Sequence, residues 1–303
     1  FEKNIKKCFK QHFFMIDINP ENQNQKTIKK PIFISGIGLH SGNNVEMKLM
    51  PADVDHGVKF VRIDKEKNNK IDAIWSNVSE TVLSTTISNE INLKISTIEH
   101  LMSALSGLHI DNLIIYINGS EVPIMDGSSK PFVDLIENSG ILIQNKKRRL
   151  LNVKKSIEVK NENSSAKIVP NNQFSIDFEI DFPSRLVSKQ SCQLQLINGN
   201  YKTDIAAART FGFEKDVENL RSNGLALGGS LDNAVVVGEN EILNKDGLRY
   251  TDEFVRHKIL DSIGDLYLAG SPILGYFYGN KSGHHLNNQL LRKLFSDKSN
   301  YEY

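Results

Sequence analysis

The chain alternates between two hydrophobic periods, and the two periods predict different secondary structures. Apolar residues that alternate with polar ones, or that form short β-branched runs, are typical of strands, whereas apolar residues three and four positions apart are typical of amphipathic helices. The clearest strand pattern is FSIDFEIDF at 174–182, in which five apolar residues alternate with polar ones and share one face. This stretch therefore predicts a strand with one buried side.

Strand and helix patterns follow one another along the rest of the chain. Strands are predicted at 30–36, 58–63, 112–117, 233–237 and 272–279. Helices are predicted at 96–108, 131–140, 214–222, 255–270 and 286–295. Because both halves of the chain contain both kinds of element, the pattern predicts an α+β fold.

The two halves also resemble each other. In each half a histidine lies near the start of an amphipathic helix, His100 in the first and His257 in the second, and that helix ends at a glycine, Gly107 or Gly270. An apolar strand, a polar turn and a second helix follow in both halves. We therefore expect two related domains, each a helix layer on a sheet, packed face to face with the active site at their interface, where binding sites tend to form.

The basic, polar run QNKKRR at 144–149 is the best candidate for the boundary between the domains. We expect a first α+β domain at 28–147 and a second at 148–303. Residues 1–27 are rich in Lys, Asn and Gln and lack the apolar segment of a secretion signal, so we expect a poorly ordered extension there.

Composition and charge narrow the classes of function. With 39% hydrophobic and 24% charged residues, the chain has the composition of a folded, soluble protein. The formal net charge of +1 gives no general attraction to nucleic acid, so we expect no nucleic-acid partner. No apolar run approaches the roughly 20 residues that span a bilayer. We therefore expect a cytoplasmic monomer without a transmembrane segment.

The cysteines restrict the kind of metal site that the chain can form. Cys8 and Cys192 lie far apart and outside any CxxC pair. This excludes a disulfide framework and a thiolate zinc site, and it fits a reducing compartment. Any metal ion would have to be held by His, Asp or Glu.

The predicted helix VRHKILDSIGDL at 255–266 carries a polar stripe. His257, Asp261 and Asp265 are four residues apart, so they lie on one helical face, one turn above another. One explanation is a solvated face with a local His–Asp contact. The other is a set of groups held together for chemistry.

The motif STIEHL places Glu99 and His100 side by side at the start of a predicted helix. The pattern Ser96-x-x-Glu99 is also that of a capping box, in which Glu99 would reach back to the amide of Ser96. His100 has the alternative of an ordinary core or surface histidine.

Two further motifs carry reactive side chains. KSGHHLNN at 281–288 places a lysine and two histidines on a glycine turn before a helix, where they could donate a proton or bind phosphate. A solvated turn is the alternative. ARTFGF at 208–213 places Thr210 beside aromatic residues, where strand packing is the alternative.

Together these motifs suit a metal-dependent hydrolase better than any of them does alone. His100, His257 and Asp261 supply two imidazoles and one carboxylate and leave a fourth tetrahedral position open, as in a catalytic zinc site. Glu99 could accept a proton from water, and His284 could protonate a leaving group. Two histidines and a carboxylate also describe non-haem Fe(II) oxygenases, which stay an alternative.

A series of motifs then follows in order from about residue 29 to 297, without large gaps. The motifs are GIGLHSG (36–42), STIEHLMSALSGLHIDN (96–112), VPIMDGSSKPF (122–132), ARTFGF (208–213), GLALGGSLDNAVVV (224–237), NKDGLRYTDEFVRHKILDSIGDLYL (244–268) and KSGHHLNN (281–288). In amino-acid sequence and in order they resemble the signatures of the UDP-3-O-acyl-N-acetylglucosamine deacetylase family of lipid A biosynthesis. The segment 1–27 lies outside this resemblance.

The resemblance implies a fold and a reaction. The fold would be two related α+β domains with the active site between them. The reaction would be hydrolytic removal of the N-acetyl group from a UDP-linked, 3-O-acylated glucosamine, with release of acetate. The implied cofactor is one Zn²⁺ per chain, with Fe²⁺ as the alternative ion in the cell, and the implied partner is the acylated UDP-sugar.

The resemblance also implies a role for individual residues. The zinc ligands would be His100, His257 and Asp261. The catalytic residues would be Glu99 as general base, His284 as general acid, Asp265 as the partner of His284, Thr210 as a group that stabilises the oxyanion, and Lys258 as a substrate contact. His284 is preferred to His285 because the acid of the family follows the glycine directly.

The remaining implied contacts lie on the substrate side. Lys281 would face the phosphates, and Asp181 and Phe182 occupy the position that contacts the nucleotide. The segment 213–237 corresponds to an inserted unit that forms a passage for the acyl chain. Its expected lining, together with a neighbouring aromatic residue, is Phe211, Phe213, Val217, Ala226, Leu231 and Val236.

Two alternatives stay open for these implied contacts. The apolar residues of 213–237 could instead belong to an ordinary core. The chain as a whole could be an inactive sugar-nucleotide binding protein, although the expected base, acid and all three metal ligands are present.

Overall fold

A computed structural model describes residues 23–196 and 199–303, which form a mixed α+β fold. The strands of the first half are β1 (Asn24–Ile28), β2 (Ile32–Ile37), β3 (Asn44–Pro51), β4 (Val58–Arg62), β5 (Lys70–Asp72), β6 (Val78–Glu80), β7 (Thr86–Ser88), β8 (Lys94–Ile95), β9 (Leu113–Ile117) and β10 (Ile141–Lys147). The helices of this half are α1 (Glu99–Gly107) and α2 (Lys130–Ser139), with a 3₁₀ turn at Trp75–Asn77.

The second half contains a similar mixture. Its strands are β11 (Leu151–Val153), β12 (Ile157–Lys160), β13 (Ser165–Val169), β14 (Ser175–Asp181), β15 (Lys189–Gln195), β16 (Phe211–Phe213), β17 (Val235–Val237), β18 (Ile273–Leu274), β19 (Tyr276–Asn280) and β20 (Tyr301–Glu302). Its helices are α3 (Tyr201–Asp204), α4 (Glu214–Ser222), α5 (Glu253–Tyr267) and α6 (His284–Phe295), with a 3₁₀ turn at Lys298–Asn300.

The hydrophobic periods predicted five of the six helices and seven of the twenty strands in the described residues to within a few residues. In β14, the alternating residues Ile176, Phe178 and Ile180 are all buried, so the one-sided strand is confirmed. The strand expected at 272–279 is instead two strands that separate at Gly275. A Cβ atom at Gly275 would lie 3.0 Å from the side chain of Ile168, so a larger residue would force its neighbours to shift where the chain passes between the two sheets.

The two largest sheets have the same topology. Their strand orders are β2-β3-β9-β4-β5 in the first half and β12-β13-β19-β14-β15 in the second. In both, the central strand, β9 or β19, is antiparallel to one neighbour and parallel to the other, and the outer pairs are antiparallel. The similarity between the halves that the sequence suggested is therefore present in the topology of these sheets.

The structure differs from the expected division around the first strand. Residues 24–27, expected in the extension, lie in β1, which pairs antiparallel with β10. The expected boundary run at 144–149 therefore begins inside a strand. β10 has no buried residue, so it lacks the hydrophobic alternation that marks other strands. Residues 1–22 of the expected extension lie outside the described residues.

The helices α1 and α5 pack directly against each other. Thirteen of the fifteen residues of α5 are buried, including the polar stripe, so the solvated face considered above is excluded. A Cβ atom at Gly264 of α5 would lie 2.1 Å from the carbonyl oxygen of Glu99 in α1, so glycine permits this close approach. Among the described residues, no helix is both long enough and apolar enough to cross a membrane.

Candidate metal centre and active site

Three buried side chains converge where α1 meets α5. His100 lies in the first turn of α1, and His257 and Asp261 lie one turn apart on α5. The Nε2 atoms of His100 and His257 are 3.5 Å and 3.4 Å from Oδ1 of Asp261. One candidate ligand atom from each residue can be chosen so that all lie within 4.8 Å of one another. The pairing of His100 with His257 that the similarity of the halves suggested is confirmed.

The donor atoms of this triad fit a small divalent cation. Oδ1 of Asp261 is buried and makes no hydrogen bond within the described residues. Nδ1 of His257 donates to the carbonyl oxygen of Ala208 at 3.1 Å, which leaves a lone pair on Nε2. With bonds of roughly 2.0–2.2 Å, neighbouring ligands of a tetrahedral zinc ion lie about 3.3–3.6 Å apart. The measured separations of 3.4 Å and 3.5 Å agree with this spacing.

The electrostatics of the triad favour the metal-binding form of these side chains. Burial lowers the pKa of His257 to about 4, so the ring is neutral near pH 7. Burial alone would raise the pKa of Asp261, but His257 and Lys258 hold it well below its usual range. Nζ of Lys258 donates to Oδ2 of Asp261 at 2.9 Å, so one carboxylate oxygen is paired and Oδ1 is left open. Metal ions require this combination of neutral imidazole and ionised carboxylate.

Glu99 faces the site and does not form the capping box. The residue before α1 makes no side-chain cap, and the Ser96 hydroxyl donates instead to the carbonyl oxygen of Ser120. The carboxylate of Glu99 is buried, and its Oε2 accepts a hydrogen bond from the amide of Thr85 at 3.0 Å. Burial raises the pKa of Glu99, partly offset by His284 and His100. A carboxylate with a raised pKa beside a metal site is suited to act as a general base.

His284 is buried at the first position of α6, opposite Glu99. Its Nδ1 donates to Oδ2 of Asp265 at 2.9 Å, and its Nε2 lies 4.0 Å from Oε1 of Glu99. Burial alone would lower its pKa, but Asp265 and Glu99 raise the pKa of His284 to about 9. The ring is therefore an imidazolium near pH 7 and has a proton to give. His285 is exposed and lies 3.4 Å from the hydroxyl of Thr81, outside this cluster.

Two residues of the site were missed by sequence reasoning. The hydroxyl of Thr85 donates to Oδ1 of Asp265 at 2.6 Å, and Nδ2 of Asn287 donates to Oδ2 of Asp265 at 2.9 Å. Asn287 lies in the motif KSGHHLNN, one helical turn after His284, so its position on the same face was available from the spacing. Thr85 lies in a segment with no helix or strand period, and nothing in the sequence marked it.

Comparison with known proteins assigns the family. The family model described as LpxC, UDP-3-O-acyl N-acetylglycosamine deacetylase, matches residues 25–296. A UDP-3-O-acyl-N-acetylglucosamine deacetylase of Xanthomonas oryzae pv. oryzae is 49% identical over 281 residues, which cover 92% of each chain. The chain belongs to the UDP-3-O-acyl-N-acetylglucosamine deacetylase family. Proteins of the same name from Xanthomonas campestris pv. campestris and Hahella chejuensis are 48% identical over 281 and 280 residues, again 92% of each chain.

An exposed ion pair and an aromatic cluster lie next to the triad. They are on the side where the family is expected to bind the nucleotide. Nζ of Lys281 contacts Oδ2 of Asp181 at 2.7 Å. The neighbouring Phe182 packs against Phe211, with ring centroids 5.6 Å apart, and Phe211 lies 6.3 Å from the ring of His257. The fold therefore brings together residues that are about 100 positions apart in the chain.

Thr210 is held close to the candidate ligand His257 by hydrogen bonds of its own backbone. It lies two residues after Ala208, whose carbonyl oxygen binds the His257 ring. The amide of Thr210 donates to the carbonyl oxygen of Gly127 at 2.7 Å, and its carbonyl accepts from the amide of Val235 at 2.8 Å. The backbone is thus held from two sides, while no hydrogen bond to the hydroxyl is found in the described residues.

The deacetylase's expected acyl-binding segment, 213–237, contains apolar side chains outside the core. α4 has no buried residue, and Leu231 is 47% exposed. Four other expected residues are only partly buried: Phe213, Val217, Ala226 and Val236. Core packing therefore explains the buried Val235 and Val237 and also involves Phe213, which packs against the core, but it does not explain Val217, Ala226, Leu231 and Val236. The passage itself stays a prediction.

This segment rests on the loop GIGLHSG at 36–42. The amides of Leu227 and Gly228 donate to the carbonyl oxygens of His40 and Leu39 at 3.1 Å and 3.0 Å. The loop is in turn held by the buried carboxylate of Glu121, which accepts from the amides of residues 40 and 41 at 2.8 Å. The motif at 36–42 thus has a structural role as the support of the expected acyl-binding segment.

Proposed function

We propose that this chain is a zinc-dependent hydrolase that removes the N-acetyl group of UDP-3-O-acyl-N-acetylglucosamine and yields UDP-3-O-acyl-glucosamine and acetate, the committed step of lipid A biosynthesis. One observation carries the proposal. The buried, unpaired Oδ1 of Asp261 lies within 3.5 Å of two imidazole nitrogens, while a buried carboxylate and a buried imidazolium occupy the same site. Membership in the deacetylase family supplies the substrate class.

The assigned ligands are His100, His257 and Asp261, which leave one tetrahedral position open. When bound there, zinc supplies Lewis-acid chemistry that activates water and polarises an amide carbonyl. Nδ1 of His257 donates to the carbonyl oxygen of Ala208, and this bond orients the ring and leaves Nε2 as the atom that would hold the ion. Lys258 binds the other oxygen of Asp261 and so keeps the carboxylate ionised and oriented.

The proton transfers are assigned to Glu99 and His284. Glu99 takes a proton from the attacking water because its carboxylate is buried beside the ligands and its pKa is raised. His284 gives a proton to the departing amine nitrogen because its ring is protonated near neutral pH. Asp265 holds the imidazolium by its Nδ1–H and leaves Nε2–H free to face the substrate.

Further residues are assigned to substrate contacts and oxyanion stabilisation. Thr210 would donate to the developing oxyanion, a contribution of about 3–4 kcal/mol for one donor in comparable sites. Lys258 and Lys281 supply positive charge near the carbonyl and the phosphates. Asp181, Phe182 and Phe211 form the nucleotide side, and the apolar residues of 213–237 receive the acyl chain.

We further propose that the two repeated sheets mark two domains, 28–147 and 148–303, with the active site between them. Support comes from the identical strand order of the two sheets and from the contact of α1 with α5, which bring ligands from both halves together. The cytoplasmic location and the monomeric state stay predictions.

An acetate-release assay on the acylated UDP-sugar, with and without a chelator, tests the proposal. We expect release that is lost on chelation and restored by Zn²⁺. His257→Ala should lose zinc and activity together, and stoichiometric zinc in that variant would overturn the ligand assignment. Oxygen uptake without acetate release would favour the Fe(II) enzyme, and tight substrate binding without turnover would favour the inactive binding protein.

A further inference from the structure

One buried threonine contacts both carboxylates that flank His284. The backbone amide of Thr85 donates to Oε2 of Glu99 at 3.0 Å, and its hydroxyl donates to Oδ1 of Asp265 at 2.6 Å. The side chain is 2% exposed, so water does not substitute for either bond. Glu99 belongs to α1 and Asp265 to α5, so Thr85 links the two helices at the level of the proposed acid and base.

The two carboxylate oxygens of Asp265 differ in the number of hydrogen bonds that they accept. Oδ2 of Asp265 accepts from two donors, Nδ1 of His284 and Nδ2 of Asn287, both at 2.9 Å. Among the described residues, Oδ1 accepts from the Thr85 hydroxyl alone. Loss of the hydroxyl would therefore leave a buried carboxylate oxygen without a donor and remove the contact that fixes the carboxylate from the side of Thr85.

We propose that Thr85 is a positioning residue whose hydroxyl holds the carboxylate of Asp265 in line with Nδ1 of His284, so that Asp265 stabilises the protonated ring. The inference rests on the proposed function, because it assigns Thr85 a part in setting the proposed general acid. The Thr85 hydroxyl makes no hydrogen bond to the proposed metal ligands or to His284. Thr85 acts through Asp265 and, by its amide, keeps Glu99 in place.

Other charged and titratable groups around His284 also affect whether its ring is protonated. Asp265, Glu99 and Asp261 favour the protonated ring, and the titratable His40 approaches from the loop at 36–42. The Thr85 hydroxyl is uncharged, so its loss leaves these charges in place. A change in the titration of His284 that follows the hydroxyl and not the methyl group is then expected to arise through the carboxylate of Asp265.

The test compares Thr85→Ser with Thr85→Ala, which differ only in the hydroxyl. Zinc-loaded variants should keep their metal content, because the Thr85 hydroxyl makes no hydrogen bond to the proposed metal ligands. In Thr85→Ala we expect the alkaline limb of kcat/KM to move down by up to about 1–2 pH units, the range that corresponds to loss of a hydrogen bond to a charged group. Thr85→Ser should stay within about 0.3 units of the parent, since it restores that bond.

Thr86→Val is the matched control. Thr86 is also buried, but it lies in β7 and pairs with Glu80 of β6. This variant should leave the alkaline limb unchanged. Titration of the His284 ring by ¹⁵N NMR in the same zinc-loaded proteins reads out the proton directly. Equal shifts in the Ser and Ala variants would overturn the proposal, because they would trace the effect to the methyl group and packing.

Failure of the proposed function would be recognised separately. If the parent protein releases no acetate, the NMR titration still decides whether Thr85 controls His284. If the parent is active and Thr85→Ala titrates like the parent, the positioning role is wrong while the deacetylase assignment stands.

Discussion

Replacing Asp265 with asparagine removes one negative charge beside His284 and leaves a side chain of the same shape. The amide oxygen of the variant can still accept from Nδ1 of His284, so the ring should keep its position. What changes is the charge that stabilises the imidazolium. Of the groups that raise the pKa of His284 to about 9, Asp265 contributes most.

The size of the effect follows from the titration of one group. At pH 8, an imidazole with a pKa of about 9 is about 91% protonated, whereas one with a pKa of 6.5 is about 3% protonated. A complete loss of the shift therefore lowers activity about 30-fold at pH 8, and a return only to a pKa of about 7 lowers it about tenfold. At pH 6 the same changes in pKa lower activity by less than about twofold, because the ring is mostly protonated in either case. Activity is lost as pH rises through the pKa because His284 must be protonated to act.

The assay is kcat/KM for acetate release from pH 6 to pH 10, with zinc content measured for each sample. Asp134→Asn is the matched control, since Asp134 is exposed and pairs only with Lys130 on α2 among the described residues. We expect the control to follow the parent curve. Asp265→Asn could instead lower kcat/KM by the same factor at every pH and leave the alkaline limb in place. That result would refute the assignment of His284 as an acid controlled by Asp265.

The remaining predictions concern other parts of the site. Glu99→Gln should keep its zinc and fold and lose about 10²–10⁴ in kcat, as for other general bases, and normal turnover by steady-state kinetics would exclude this role. His284→Ala should remove most activity with zinc retained, whereas His285→Ala should do little because that side chain is exposed; the reverse result would mean that the acid is misassigned. Leu231→Glu should raise KM for long-chain substrates with zinc unchanged, while Leu142→Glu, equally exposed on β10, should have no effect, and an unaltered preference for chain length would count against the acyl passage.

The polar stripe of α5 shows how far sequence reasoning reached. The spacing of four residues placed His257, Asp261 and Asp265 on one face, and the structure confirms this placement. The similarity of the halves added His100 opposite them, which the structure also confirms. These predictions held because helical spacing and a repeated order of elements are local properties of the chain.

The errors arose where a distant partner decides the outcome. The solvated-face alternative for α5 was wrong because residues of α1 and α6 contact the polar stripe, and helical periodicity does not show what packs on a polar face. The capping box was wrong because Thr85, fourteen residues before Glu99, donates to its carboxylate. The strand at 272–279 divides because β18 pairs with β11 and β19 pairs with β13.

The division of the proposed metal ligands between α1 and α5 has a thermodynamic consequence. An ion bound by His100 together with His257 and Asp261 binds only while the two helices are docked, so its binding energy is added to the docked state. At a free concentration one hundred times Kd, the ion would stabilise that state by about 2.7 kcal/mol. Chelation should therefore lower Tm as well as activity, and Tm should report zinc occupancy even in Glu99→Gln, where turnover can no longer do so.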